Sequence, residues 1–166
     1  MFKRILLAAI AATATILPVG AEVQPGTSRL LETLHGNGVT VLINSETCGT
    51  GYDGQYRFLG MKREMILCPG ETVDANDHDT VRHETIHAIQ HCVNVMRQTP
   101  LNSAVIDDHD TFVRFVKAHL SQEAIDWIFE TYPKAHWEVE LEAFAGANAY
   151  TAAELEQMFL KACVNI

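Results

Sequence analysis

Residues 80–92, TVRHETIHAIQHC, hold three histidines four residues apart, His83, His87 and His91, with an acid, Glu84, directly after the first. On a helix, His83 and His87 stand on one face about one turn apart, so two imidazoles can reach one ion. Glu84 is then held on the flank of that ion, where it meets a bound water instead of ligating. This is the H-E-x-x-H arrangement of zinc sites, in which the acid serves as general base. The plainer alternative is a polar stripe on a solvated helix face. His91 extends the stripe but sits two turns from His83, about 12 Å along the axis. It is therefore expected in the core or behind the site rather than on the ion.

A catalytic zinc takes three protein ligands and keeps one position for water, so a third ligand must come from elsewhere in the chain. A metzincin would need Gly at position 90 and His at position 93, where this chain has Gln90 and Val93, and that class is excluded. Downstream, HWEVELEAFA puts Glu138, Glu140 and Glu142 on a predicted helix among small and aromatic residues. Solvated acids are ordinary on a helix surface, and that fits at least two of the three, since Glu138 and Glu142 can remain solvated without penalty. Glu138 and Glu142 share a face, whereas Glu140 is rotated about 200° from each. Trp137, Ala143 and Phe144 lie on the general side of Glu140, an apolar surround in which a carboxylate needs a cation.

The elements that must position these residues are legible in the pattern. After Thr27 or Ser28 as N-cap, RLLETLH puts Leu30, Leu31 and Leu34 on one helical face, and Gly36 is a natural stop. From 38 to 68 the texture changes to β-rich runs, GVTVLIN, GQYRFLG and REMILC, divided by the turn-formers CGTGYDG and GMK. Three antiparallel strands are predicted there. Following the polar loop ETVDANDHD, a helical pattern runs from 78 to 97. Further helices are predicted over 110–119, 122–131 after the cap Ser121, 134–148, and 152–163 after the capping box Thr151…Glu154. The predicted fold class is α+β: a small antiparallel three-stranded sheet packed on the histidine helix, then a mostly helical C-terminal half.

The first 21 residues read as a signal peptide. Lys3 and Arg4 form a positive n-region, Ile5–Leu17 is an apolar run too short for a comfortable membrane span, and Val19-Gly20-Ala21 offers small residues for cleavage before Glu22. An uncleaved N-terminal anchor is the alternative. The mature chain, 22–166, suits one domain with a real core, and neither a linker nor an internal repeat divides it. The whole chain carries 12 basic and 21 acidic residues. Losing Lys3 and Arg4 leaves 10 against 21, a balance of −11. Such a surface repels nucleic acid and anionic lipid, and no stable membrane span is expected after cleavage. In a secreted or periplasmic setting the four cysteines are expected as two disulfides, Cys48–Cys68 clamping the small sheet and Cys92–Cys163 tying the last helix to the histidine helix. In the chain-entropy view each contributes about 3–4 kcal/mol.

RHETIHAIQHC followed downstream by ELEAFA resembles the gluzincin metallopeptidases, whose second zinc-binding helix often carries Glu-x-x-Ala. The chain is also similar to small gluzincins in which a Gly-Tyr turn and a strand ending in Cys, here GYDGQYRF and MILC, precede the histidine helix. The similarity spans residues 50–145. It implies that His83, His87 and Glu140 are zinc ligands, that Glu84 is the base, and that the strand before the histidine helix, residues 64–68, takes the substrate backbone by β-addition. Many gluzincins place an Asp four residues after the third ligand to partner a ligating histidine; this chain has Phe144. The implied reaction is amide hydrolysis of a peptide or protein substrate, in which zinc activates a water, Glu84 carries its proton to the leaving amine, and a further donor stabilises the oxyanion. Tyr132, His136 and Tyr150 are candidates for that donor. Two other readings compete: a non-catalytic exported binding or immunity-type protein on the same scaffold, and a peptidoglycan-directed amidase or endopeptidase. Glu84 separates the first from an enzyme, since a purely structural site has no need for that acid.

Overall fold

The computed structural model describes residues 25–48, 53–60, 62–69 and 75–164. The expected leader over 1–21 lies outside the described residues. Helix α1 (Pro25–Gly36) precedes strands β1 (Val39–Ile43), β2 (Gly54–Leu59) and β3 (Lys62–Leu67). Helices α2 (Ala75–Arg97), α3 (His109–His119) and α4 (Gln122–Thr131) follow, then a 3₁₀ turn at Lys134–His136, α5 (Trp137–Ala149) and α6 (Ala152–Cys163). The α+β class holds, with the strands early and the helices late. The starts of α3, α4 and α6 follow from local chemistry: Asp108, Ser121 and Thr151 each accept a hydrogen bond from a backbone N–H of the first turn, and Thr151 with Glu154 completes a capping box.

The sheet departs from expectation in one pairing. β2 and β3 form an antiparallel hairpin turning at Gly60, whose φ of 65° suits glycine, but β3 occupies the centre and runs parallel to β1. The sheet is therefore mixed rather than wholly antiparallel. Turn signals specify only the local hairpin; the placement of β1 depends on long-range packing. Cys48 and Cys68 follow β1 and β3, whose ends are neighbours because the two strands run the same way, and a disulfide joins them with Cα atoms 5.6 Å apart. The second expected disulfide, Cys92–Cys163, ties α2 to α6.

Two apolar clusters meet at α5. One gathers Leu30 and Leu34 of α1, Met65 and Leu67 of β3, Ile86 and Ile89 of α2, and Leu155 and Phe159 of α6. The other joins Phe112 and Val116 of α3 to Ile125 and Ile128 of α4. Helix α5 gives Ala143 to the first cluster and Leu141 and Ala145 to the second, so it is buried on nearly every side, with Glu140 and Glu142 among its buried residues. Its small residues permit close approach: a Cβ on Gly146 would stand 2.8 Å from Ile86 Cδ1 of α2. Among the described residues no helix is long and apolar enough to cross a membrane.

The same economy of size seats the sheet on α2. A Cβ on Gly54, at the start of β2, would overlap Thr80 Cγ2 and stand 3.2 Å from Glu84. Gly54→Ala should therefore push β2 off α2 and lower stability by about 1–3 kcal/mol, the usual cost of overpacking. Thermal unfolding reads this directly, and an unchanged midpoint would mean that β2 is not held against α2 as described.

Candidate metal centre

Helix α2 presents His83 and His87 one turn apart, with their Nε2 atoms 3.0 Å from each other. Glu140, in the first turn of α5, brings Oε2 to 3.4 Å from the first and 3.5 Å from the second. Three ligands at the 2.0–2.1 Å bond lengths and tetrahedral angles of a zinc-type site stand about 3.3 Å apart. The three atoms thus fit around one ion. Two further observations favour a cation there. Glu140 is 9% exposed, and its Oε2 is buried without a hydrogen-bond donor. All three donor atoms converge within 4.8 Å, so His83, His87 and Glu140 can hold a metal ion.

Electrostatics tie the three together. Burial would raise the Glu140 carboxyl, but the two histidines outweigh it and hold the pKa at about 2. Burial would likewise depress His87, yet Glu140 and Glu84 hold it at about 9, so without an ion this imidazole is protonated at neutral pH.

The histidines differ in what stands behind them. His87 Nδ1 is 2.7 Å from Gln90 Oε1, which as an acceptor fixes the proton on Nδ1 and turns the Nε2 lone pair toward the ion position. Gln90 in turn donates through Nε2 to Val139 O and to Glu142 Oε2. Glu142 also accepts from the backbone N–H groups of Val105 and Ile106. The expectation that Glu142 would stay solvated is thus corrected: it is buried, because it anchors the segment after α2 while orienting Gln90. Glu138 is exposed, as expected. His83, by contrast, packs on Phe144 with ring centroids 4.2 Å apart, and its buried Nδ1 has no hydrogen-bond partner.

These side chains face a cleft of about 670 Å³. It is lined by the His83, Glu84 and His87 stretch of α2, by β2, by Tyr132, His136 and α5, and by Leu101 and Asn102. Burial, with the Glu140, Glu84 and Asp53 carboxylates, pushes the Tyr132 phenol well above its ordinary range, so it remains a neutral donor. Tyr150 does not line the cleft. It closes α5 and packs against the first apolar cluster, which removes it from the oxyanion candidates.

Residues 64–68 are likewise corrected as a substrate-binding strand: β3 is central, with both edges already paired, and the free edge beside the cleft belongs to β2. Cys68 N–H donates to Asp53 O, whereas Tyr56 N–H leaves the sheet to donate to Glu84 Oε2 at 2.5 Å. The alternation of an antiparallel pair therefore turns the backbone groups of Gly54, Tyr56 and Phe58 outward. His91 lines the cleft beside this strand, outside the ligand group as its spacing predicts. Its Nδ1 is 2.9 Å from the Tyr56 hydroxyl, its ring lies on Phe58, and burial, reinforced by Arg63, lowers its pKa below the ordinary histidine value. Gln90 was discoverable by its i,i+3 position after His87; Tyr56 and Glu142 carry no such local signal.

No protein-family model, no curated protein and no solved structure matches the chain.

Metal binding requires neutral imidazole, so an ion entering this site must displace the proton that Glu140 holds on His87. Titration with Zn²⁺ as probe should release protons at about pH 7.5, where an unperturbed histidine is already neutral. Apparent affinity should rise with pH until about 9 and then level. Gln90→Ala should weaken binding by about 10–100-fold with the fold intact. Calorimetry in buffers of different ionisation enthalpy measures both, and proton-free binding with wild-type affinity in the variant would contradict the arrangement.

Proposed function

We propose that the protein is an exported zinc-dependent metallopeptidase, related in its site to the gluzincins. The observation that carries this reading is the convergence of His83, His87 and Glu140 on one point, with Glu84 beside them in an open cleft. The donor set of two imidazoles and a carboxylate is the set that hydrolytic zinc sites use. Zinc held there would supply Lewis acidity that makes a water nucleophilic at neutral pH and polarises the scissile carbonyl. Glu84 takes the proton of the attacking water and passes it to the leaving amine. Tyr132, neutral and beside the carboxylates, donates to the developing oxyanion, with His136 as the second candidate in the cleft. The substrate backbone pairs with the free edge of β2. Export accords with the two disulfides, which persist in oxidising compartments.

A specific contact favours the second reading, a non-catalytic binding protein. Glu84 accepts the Tyr56 N–H and so has a structural task independent of any reaction. Glu84→Gln separates the two, because an amide oxygen in the same place still accepts that hydrogen bond but cannot serve as a base. In the peptidase, this variant should keep its fold and metal while hydrolysis of a mixed peptide library falls at least about a hundredfold. Undiminished turnover in the variant would remove Glu84 from the chemistry, and a wild type that cleaves nothing would give the binding reading the lead.

A further inference from the structure

Resting on the peptidase reading, the cleft's own chemistry narrows the substrate. A peptidase that removes terminal residues must hold a free carboxylate or a free amine, and each needs an opposite charge that is not otherwise engaged. Among the described residues lining the cleft there is no Lys or Arg. Cations near it have other partners: Arg57 pairs with Glu64 on the sheet, Arg63 donates to Asn37 O, and Lys134 lies over the Trp137 ring. Positions 49–52, 61 and 70–74, which adjoin the described strands and α2 in the chain, contain neither residue type. Two carboxylates do line the cleft, but Glu84 is held by the Tyr56 N–H and Glu140 by the two histidines. Among the described residues of the cleft, a peptide carboxylate thus meets no Lys or Arg, and each acid that a peptide amine could meet already has a partner.

What the cleft does offer is backbone and apolar surface. The outward groups of Tyr56 and Phe58 provide an edge for an extended segment, apart from the N–H that Glu84 occupies. Phe58 and Leu101 both line the cleft while 40% and 47% exposed, and the Phe58 ring lies on His91, so the cleft carries apolar surface open to a ligand. We propose that the site is an endopeptidase site: it takes an internal, extended stretch of polypeptide with both termini outside the cleft, and seats an apolar side chain of that stretch against Phe58 and Leu101. Hydrolysis adds one water across one internal amide, leaving a new carboxylate on one product and a new amine on the other. Peptidoglycan stem peptides, short and rich in free carboxylates, find no Lys or Arg among the described residues of the cleft.

The test compares matched peptides with an internal apolar residue, one acetylated and amidated, the other with free termini, in two measurements. Wild-type, zinc-loaded protein should cleave the blocked peptide at an internal bond, located by mass spectrometry, at least as fast as the free one. Glu84→Gln protein should bind both with equal affinity by calorimetry. Leu101→Ser should lower kcat/KM for the apolar peptide about tenfold relative to its alanine counterpart, the scale on which an apolar pocket discriminates. Cleavage that requires a free terminus, stepwise release of single residues, turnover of peptidoglycan fragments alone, or an unchanged apolar preference in Leu101→Ser would overturn the endopeptidase assignment and leave the peptidase reading standing. Absence of cleavage with every substrate would overturn both.

Discussion

The approach of α2 to α5 is the constraint on which the site depends. Neither helix holds three ligands: α2 supplies His83 and His87, and α5 must deliver a buried carboxylate to within 3.5 Å of both. Small residues at the crossing let the axes come close, Gly146 against Ile86 above all. The Cys92–Cys163 disulfide then ties α2 to α6 behind it. A carboxylate so enclosed needs positive charge. In the absence of an ion the protonated His87 provides it, and a metal bound there would displace that proton.

Polar residues buried on α2 extend the consequences beyond the ligands. Gln90, Asn94 and His91 each bind a different neighbour: Glu142 of α5, the carbonyl of Ser103, and Tyr56 of β2. Position of the cleft walls is thereby coupled to orientation of the ligand helix. Glu142 illustrates the coupling, since one carboxylate holds both the Gln90 amide behind His87 and the backbone of Val105 and Ile106, close in the chain to the cleft-lining Leu101 and Asn102. His83 lacks an equivalent support and rests on Phe144, so the two histidine ligands are held by different physics, one by a hydrogen-bond relay and one by packing.

The sequence made legible what is local or periodic. The i,i+4 histidines, the capping box at Thr151 and the hairpin around Gly60 follow from spacing and residue type, and both disulfides match the expected pairing. Glu140 was distinguishable from its neighbours because Trp137, Ala143 and Phe144 mark an apolar side. The remainder depends on tertiary approach. Placement of β1 beside β3 cannot be read from turn chemistry, and with it went the identity of the free-edge strand. Glu142 looked like a solvated acid because its partners, Gln90 and the 105–106 backbone, lie 36 or more residues away. Tyr150 was close in sequence to the third-ligand helix but closes its far end, which separation along the chain does not reveal.

Anomalous diffraction at the zinc edge, from crystals of the protein grown with Zn²⁺, tests most directly whether α2 and α5 together build one metal centre. One peak is predicted about 2 Å from each of His83 Nε2, His87 Nε2 and Glu140 Oε2, with Gln90 still behind His87. A peak ligated by Glu138, Glu142 or His91 instead of Glu140, or no ordered zinc at those three atoms, would contradict the account.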